Sequence, residues 1–108
     1  MDTDRKIEIA KTISKGLVDV KRTEWTKWEE YYKLKHDLDK AISFSYTLSN
    51  SPMLRVGPKK AFRQINSIMI KNRKSIEGIP FNETSEIFGY IGWLVSIPSG
   101  FGMWKDEE

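Results

Sequence analysis

The 108 residues leave room for a single domain spanning 1–108, and a content of 39% hydrophobic and 12% aromatic residues belongs to a folded chain, not a disordered one. The chain has no Cys, which excludes disulfides, thiolate metal sites and Cys nucleophiles and fits a reducing compartment. Its formal net charge of +3 leans slightly toward polyanionic partners, and the distribution of that charge says more than its sum.

The first helix is expected to begin at Asp2 or Thr3, either of which can cap the free amides of an opening turn. Ile7, Ala10, Ile13, Leu17 and Val20 follow at three- and four-residue spacings, which places them on one face. Gly16 weakens the middle of this helix by about 1 kcal/mol relative to Ala, or lets another element approach closely. The N-terminus is charged and has no apolar core of signal-peptide type, so a cytoplasmic protein is expected.

The pattern changes phase between Asp19 and Glu24, with Thr23 as the expected cap of a second helix. No strong breaker separates the first two helices, so a single long rod is the alternative. Trp25, Trp28, Tyr31, Leu34, Leu38, Ala41 and Ile42 form the apolar stripe of the second, opposed by Lys27, Glu30, Lys33, Asp37 and Lys40. A hydroxyl-rich stretch over 43–51 runs to Asn50 and Pro52, which end the helix, and a connector over 52–57 follows.

Gly57-Pro58 opens a third helix, with Pro in the tolerated first turn, and Ala61, Phe62, Ile65, Ile68, Met69 and Ile76 supply its buried face. Gly78-Ile79-Pro80 stops it. Asn82 is the expected cap of a fourth helix bearing Ile87, Phe88, Ile91, Leu94 and Val95, in which Gly89 and Gly92 permit close helix contact. Pro98, Gly100 and Gly102 end it, and residues 103–108 form an acidic tail expected to fray. No run alternates long enough to make a strand. The fold class is all-α, a compact bundle of four to five helices.

Catalytic chemistry finds little to work with. The single His36 has Tyr32 and Asp39 about one turn away, and a solvated helical histidine is the simpler reading. Glu29 and Glu30 are adjacent, so their carboxylates point about 100° apart and do not share a site. Gly57-Pro58-Lys59-Lys60 lacks the further glycines and the preceding strand of a phosphate loop. No catalytic residue, metal ligand set or cofactor is expected. The apolar stretch over 87–97 is interrupted by Gly89, Gly92 and Ser96 and is too short to span a bilayer, so no membrane partner is expected either.

The strongest signal is a charge run over residues 55–74. Arg55, Lys59, Lys60, Arg63, Lys71, Arg73 and Lys74 make seven cations with no Asp or Glu among them, against eleven cations and fifteen anions elsewhere. Lys60, Arg63, Ser67, Lys71 and Lys74 recur at helical spacing opposite the apolar face, flanked by Gln64, Asn66 and Asn72. Several cations on one rigid element are what a phosphate backbone would meet; the simpler reading is a solvated basic face. Trp25, Trp28, Tyr31 and Tyr32 offer rings for stacking on bases, although aromatics at this spacing more often fill a core or a protein interface. Residues 87–101 are apolar nearly all round if helical, and serve as the central helix or as a docking surface.

Ile9-Ala10-Lys11-Thr12-Ile13-Ser14-Lys15-Gly16 in the opening helix, then Ser45-Tyr46-Thr47-Leu48-Ser49-Asn50-Ser51-Pro52, the basic helix over 58–74 and the apolar 87–95 make up the layout of this cysteine-free chain. That layout resembles the small subunit of CRISPR effector complexes and the helical C-terminal region of their large subunits. The resemblance implies a non-catalytic subunit of an RNA-guided antiviral ribonucleoprotein. Arg55, Lys59, Lys60, Arg63, Lys71, Arg73 and Lys74 would contact the phosphates of single-stranded DNA or of the guide–target duplex without reading sequence. Phe88, Ile91, Trp93 and Trp104 would dock neighbouring subunits, copies of the same chain included. The alternative from another class is a protein–protein module, such as an immunity protein, antitoxin or phage-encoded inhibitor, without nucleic-acid binding.

Overall fold

The computed structural model describes residues 1–97, and over these the chain is an all-α bundle of five helices. They are α1 (Thr3–Ser14), α2 (Arg22–Lys35), α3 (Leu38–Ser49), α4 (Val56–Ile76) and α5 (Phe81–Val95).

Asp2 caps α1 by accepting the Arg5 N–H at 2.8 Å. The helix ends at Ser14, earlier than the apolar spacing suggests. Beyond it two tight turns take over, with Gly16 N–H donating to the Ile13 carbonyl at 3.0 Å and Val20 N–H to the Leu17 carbonyl at 3.1 Å. Those turns keep the three-residue spacing, so Leu17 and Val20 still reach the core after the helix has stopped. They also separate α1 from α2, so the two do not form one rod. The N-cap of α2 is Lys21, not Thr23, and its free N–H donates to the Glu24 carboxylate at 2.8 Å.

The long second helix expected from the sequence is two helices. His36 adopts left-handed backbone angles (φ 54°, ψ 33°) and closes α2, its ring stacked on Phe81 with centroids 3.9 Å apart. Asp37 then caps α3, accepting the Lys40 N–H at 3.1 Å. Leu34, expected on the apolar stripe, is 75% exposed, because at 100° per residue it lies about 180° from Trp25, on the outward side of α2.

α4 is capped at Arg55 and carries Pro58 in its opening turns, as expected. α5 begins after Pro80, so Asn82 lies inside the first turn and does not cap it. The buried Thr84 hydroxyl instead donates toward the Ile79 and Pro80 carbonyls, each at 3.2 Å.

α1 and α5 run parallel: the Met1 amino group faces Glu83 and Lys6 pairs with Glu86. α2 runs back along α5, with Trp25 near Phe88 and Gly92 and Tyr32 near Phe81. α3 and α4 are antiparallel, Asp39 meeting Arg73 and Ser45 meeting Asn66. The core centres on Phe88, whose ring lies 5.7 Å from Trp25, 5.2 Å from Trp28 and 4.9 Å from Tyr32. The two indole N–H groups are satisfied inside it, Trp25 by the Phe88 carbonyl at 2.9 Å and Trp28 by the Ala41 carbonyl at 2.7 Å.

Candidate nucleic-acid interface

α4 presents two opposed faces. Ala61, Phe62, Ile65, Met69 and Ile76 are buried on one. Lys60, Arg63, Ser67, Lys71 and Lys74 are exposed on the other. At 100° per residue these five lie within about 80° of arc, and from Lys60 to Lys74 they span about 21 Å of helix axis.

The seven cations of the run do not stand alike. Lys60 lies 3.5 Å from Asp19 in the α1–α2 connection. Arg73 lies 2.8 Å from Asp39 on α3 and 3.5 Å from Glu77. Arg55, Lys59, Arg63, Lys71 and Lys74 have no ion pair among the described residues. Lys74, with Arg73, sits in the last turn of α4, where the helix dipole favours positive charge. The opposite holds at the start: Arg55 caps the helix, Lys59 and Lys60 follow, and the first turn holds no acidic residue. Positive charge there opposes the dipole, so the helix gains nothing from it. Arg55, Lys59, Arg63 and Lys71 are therefore cations that no described ion pair explains.

The flanking amides turn inward. Gln64 accepts the Asp19 N–H at 2.8 Å, Asn66 accepts from the Ser45 hydroxyl at 3.4 Å, and Asn72 donates to the Ile68 carbonyl at 2.8 Å. Gln64 and Asn66 tie α4 to its neighbours and Asn72 bonds back to its own helix, so the three are engaged within the fold and not free along the basic face as the sequence suggested.

The aromatics expected to stack on bases are committed elsewhere. Trp25, Trp28 and Tyr32 are buried, and Tyr31 stacks on Phe44 with centroids 4.0 Å apart. The expected docking residues also divide. Phe88 and Ile91 are fully buried, because that side of α5 faces α2 and α1, so they are core and not interface. Trp93, on the outward side of α5, is 58% exposed. Trp104 and the tail over 103–108, like Pro98, Gly100 and Gly102, lie outside the described residues.

His36, Tyr32 and Asp39 do not assemble into an acid–base cluster. His36 stacks on Phe81, Tyr32 is buried with its phenol pushed up by burial, and Asp39 faces Arg73. Glu29 pairs with Lys33 at 3.1 Å. Among the described residues no three His, Asp or Glu come together as a metal ligand set, and no helix is long and apolar enough to cross a membrane.

The structure adds exposed side chains that the sequence reading passed over: Tyr46 on α3, Met53 and Val56 around the start of α4, and Ile70 on α4. Ile70 was open to discovery, since it falls three residues after Ser67 and four before Lys74 on the basic side. Tyr46 was legible only once Ala41 and Ser45 were known to face inward.

The chain matches no protein-family model, no curated protein and no solved structure. The fold and this face together describe a small helical bundle with one long helix whose outward side is basic.

Proposed function

We propose that this chain binds nucleic acid through its phosphates, along the outward face of α4, as a non-catalytic subunit of a larger assembly. The observation that carries the reading is the set of cations on α4 that no described ion pair uses, on a helix with no acidic residue of its own. A solvated face normally carries both signs, and the first turn of α4 holds cations where the dipole disfavours them. Arg63, Lys71 and Lys74 lie on one side of one rigid element, so they would meet a phosphate backbone without rearrangement. With Gln64, Asn66 and Asn72 turned inward, the face has few groups for base edges, and binding is expected to be independent of sequence. The resemblance to CRISPR small subunits supplies the assembly: an RNA-guided effector complex in which base pairing carries the specificity.

A second reading, a protein–protein module, is favoured by Trp93, a large ring left exposed on α5. In an assembly both surfaces have a use, α4 for nucleic acid and Trp93 for a neighbouring subunit.

The test is a titration of labelled DNA and RNA, single- and double-stranded, at salt concentrations from about 50 to 200 mM. The variant Arg63→Gln/Lys71→Gln/Lys74→Gln is run beside the native chain. Loss of three phosphate contacts should make the slope of log affinity against log salt shallower by about 2 to 3. A native chain that ignores nucleic acid at the lowest salt, or a variant with an unchanged slope, refutes the proposal and leaves the protein–protein module.

A further inference from the structure

We infer that the nucleic acid met by α4 is single-stranded and that Tyr46 is the platform on which one of its bases stacks; this rests on the phosphate-binding reading of α4. Asp39 and Tyr46 are seven residues apart on α3, two turns, and so share one side of that helix. That side is the rim facing α4, because the Asp39 carboxylate reaches Arg73 at 2.8 Å. The antiparallel register, pinned again by Ser45 and Asn66, sets Tyr46 beside the two turns of α4 that run from Arg63 to Ile70. An exposed phenol ring thus stands at the edge of the cation stripe, about halfway along it.

The Tyr46 carbonyl accepts from the Ser49 hydroxyl at 2.7 Å and the Asn50 amide at 3.0 Å, but among the described residues its side chain is not tied into the fold by a hydrogen bond or a ring contact. It is 62% exposed, and among the described residues its ring has no aromatic neighbour and its hydroxyl no hydrogen bond. Tyr31 and Tyr32, by contrast, both pack against other rings. The stripe itself is interspersed with apolar side chains, Ile70 at 56% and Val56 at 82% exposure. A duplex presents phosphates outward and keeps its base faces stacked inside, so a ring beside the cations could reach no base face without unstacking a step. A single strand exposes base faces within reach of the same surface that holds its phosphates. Stacking needs only a π-face, which suits a surface without base-edge readers.

The experiment compares four probes by fluorescence anisotropy: a labelled single-stranded DNA, the same sequence in RNA, the DNA duplex, and a single-stranded DNA of the same length carrying a tract of abasic sites. The proteins are the native chain, Tyr46→Ala and Tyr46→Phe. The native chain should prefer single strands, in DNA or RNA, to the duplex. Tyr46→Ala should weaken single-strand binding by about 5- to 150-fold, the loss of one stacked base, with the salt slope unchanged because no phosphate contact is removed. Tyr46→Phe should bind as the native chain does. The abasic strand should bind the native chain more weakly than the intact strand and be indifferent to Tyr46→Ala. If the native chain binds with a steep salt slope yet prefers duplex, or if Tyr46→Ala binds single strands unchanged, the inference falls while the phosphate-binding reading of α4 stands. If no probe binds even at low salt, the reading of α4 falls and takes the inference with it.

Discussion

The Asp39 carboxylate lies 2.8 Å from the Arg73 guanidinium, joining the first turn of α3 to the last turn of α4. Arg73 also reaches Glu77 at 3.5 Å, so among the described residues it is the one cation of the basic run held between two carboxylates. The contact makes Arg73 a structural cation and, with the Ser45–Asn66 bond, fixes the antiparallel register of α3 against α4.

Both members of that pair are about half exposed, so its worth to folding is small, at most about 1 kcal/mol. Asp39→Asn is expected to change unfolding free energy by no more than that in urea denaturation. The same substitution removes a negative charge from the edge of the stripe and loosens Arg73. Nucleic-acid affinity should rise, and the salt slope should steepen by less than one unit. A drop in affinity would show that the pair positions Arg73 for binding and does not hold it back.

The two halves of the expected docking set should separate cleanly. Phe88 is fully buried among Trp25, Trp28 and Tyr32, and Phe88→Ala should cost about 3–5 kcal/mol. Trp93 is 58% exposed, and Trp93→Ala should leave stability within about 1 kcal/mol of native. Thermal or urea unfolding of the two variants distinguishes them. Equal losses would mean that Trp93 is packed in solution.

These contrasts mark what was legible in the sequence. Helical spacing identified the core positions Ala10, Ile13, Trp25, Trp28, Ile65, Met69 and Ile87, all buried. It also placed the Lys60–Lys74 stripe on the outward side of α4. It could not place the break at His36, because Lys35, His36 and Asp37 are ordinary helix residues by propensity. The local Asp37 cap allows a new helix to start there, and contacts more distant in sequence decide the break: the His36 ring on Phe81 and the Trp28 indole on the Ala41 carbonyl. Nor could local charge counting find Asp19 and Asp39, which lie 41 and 34 positions from Lys60 and Arg73 in sequence yet neutralise them in space. Phe88 and Ile91 were misplaced for a related reason: an all-apolar helix does not announce which side the rest of the chain will cover.

Stability should fall in strong alkali, with Tyr32 as one cause. Burial pushes its phenol above the ordinary value of 10.0, so the folded chain keeps the proton where the unfolded chain releases it. The contribution is intact below pH 10 and is lost as pH rises through the folded value. Lys6, raised chiefly by its hydrogen bond to Glu86, acts in the same direction. Tyr32→Phe should therefore flatten the decline in unfolding free energy above pH 10 without abolishing it. An unchanged profile would place the whole effect on other groups.

Gly16 meets Ile68 at the point where the α1–α2 turn crosses α4. A methyl group added there would stand 2.2 Å from Ile68 Cδ1 and 2.8 Å from Cγ1. Rotating the terminal methyl relieves the first contact but not the second, since Cγ1 is one bond from the branch point. Gly16→Ala removes backbone entropy from the unfolded chain, worth about 0.4–1 kcal/mol in its favour. Overpacking typically costs about 1–3 kcal/mol, so the net effect should be destabilising. The diagnostic is a double-mutant cycle with Ile68→Ala, which empties the space the new methyl needs. The double variant should be more stable than the sum of the two single losses by about 1 kcal/mol or more. Simple additivity in urea denaturation would mean that the turn shifts away from α4 instead. Asp19, whose N–H donates to Gln64 and whose carboxylate faces Lys60, would then move with it. That outcome has its own signature, because freeing Lys60 from Asp19 would steepen the salt dependence of nucleic-acid binding in Gly16→Ala alone.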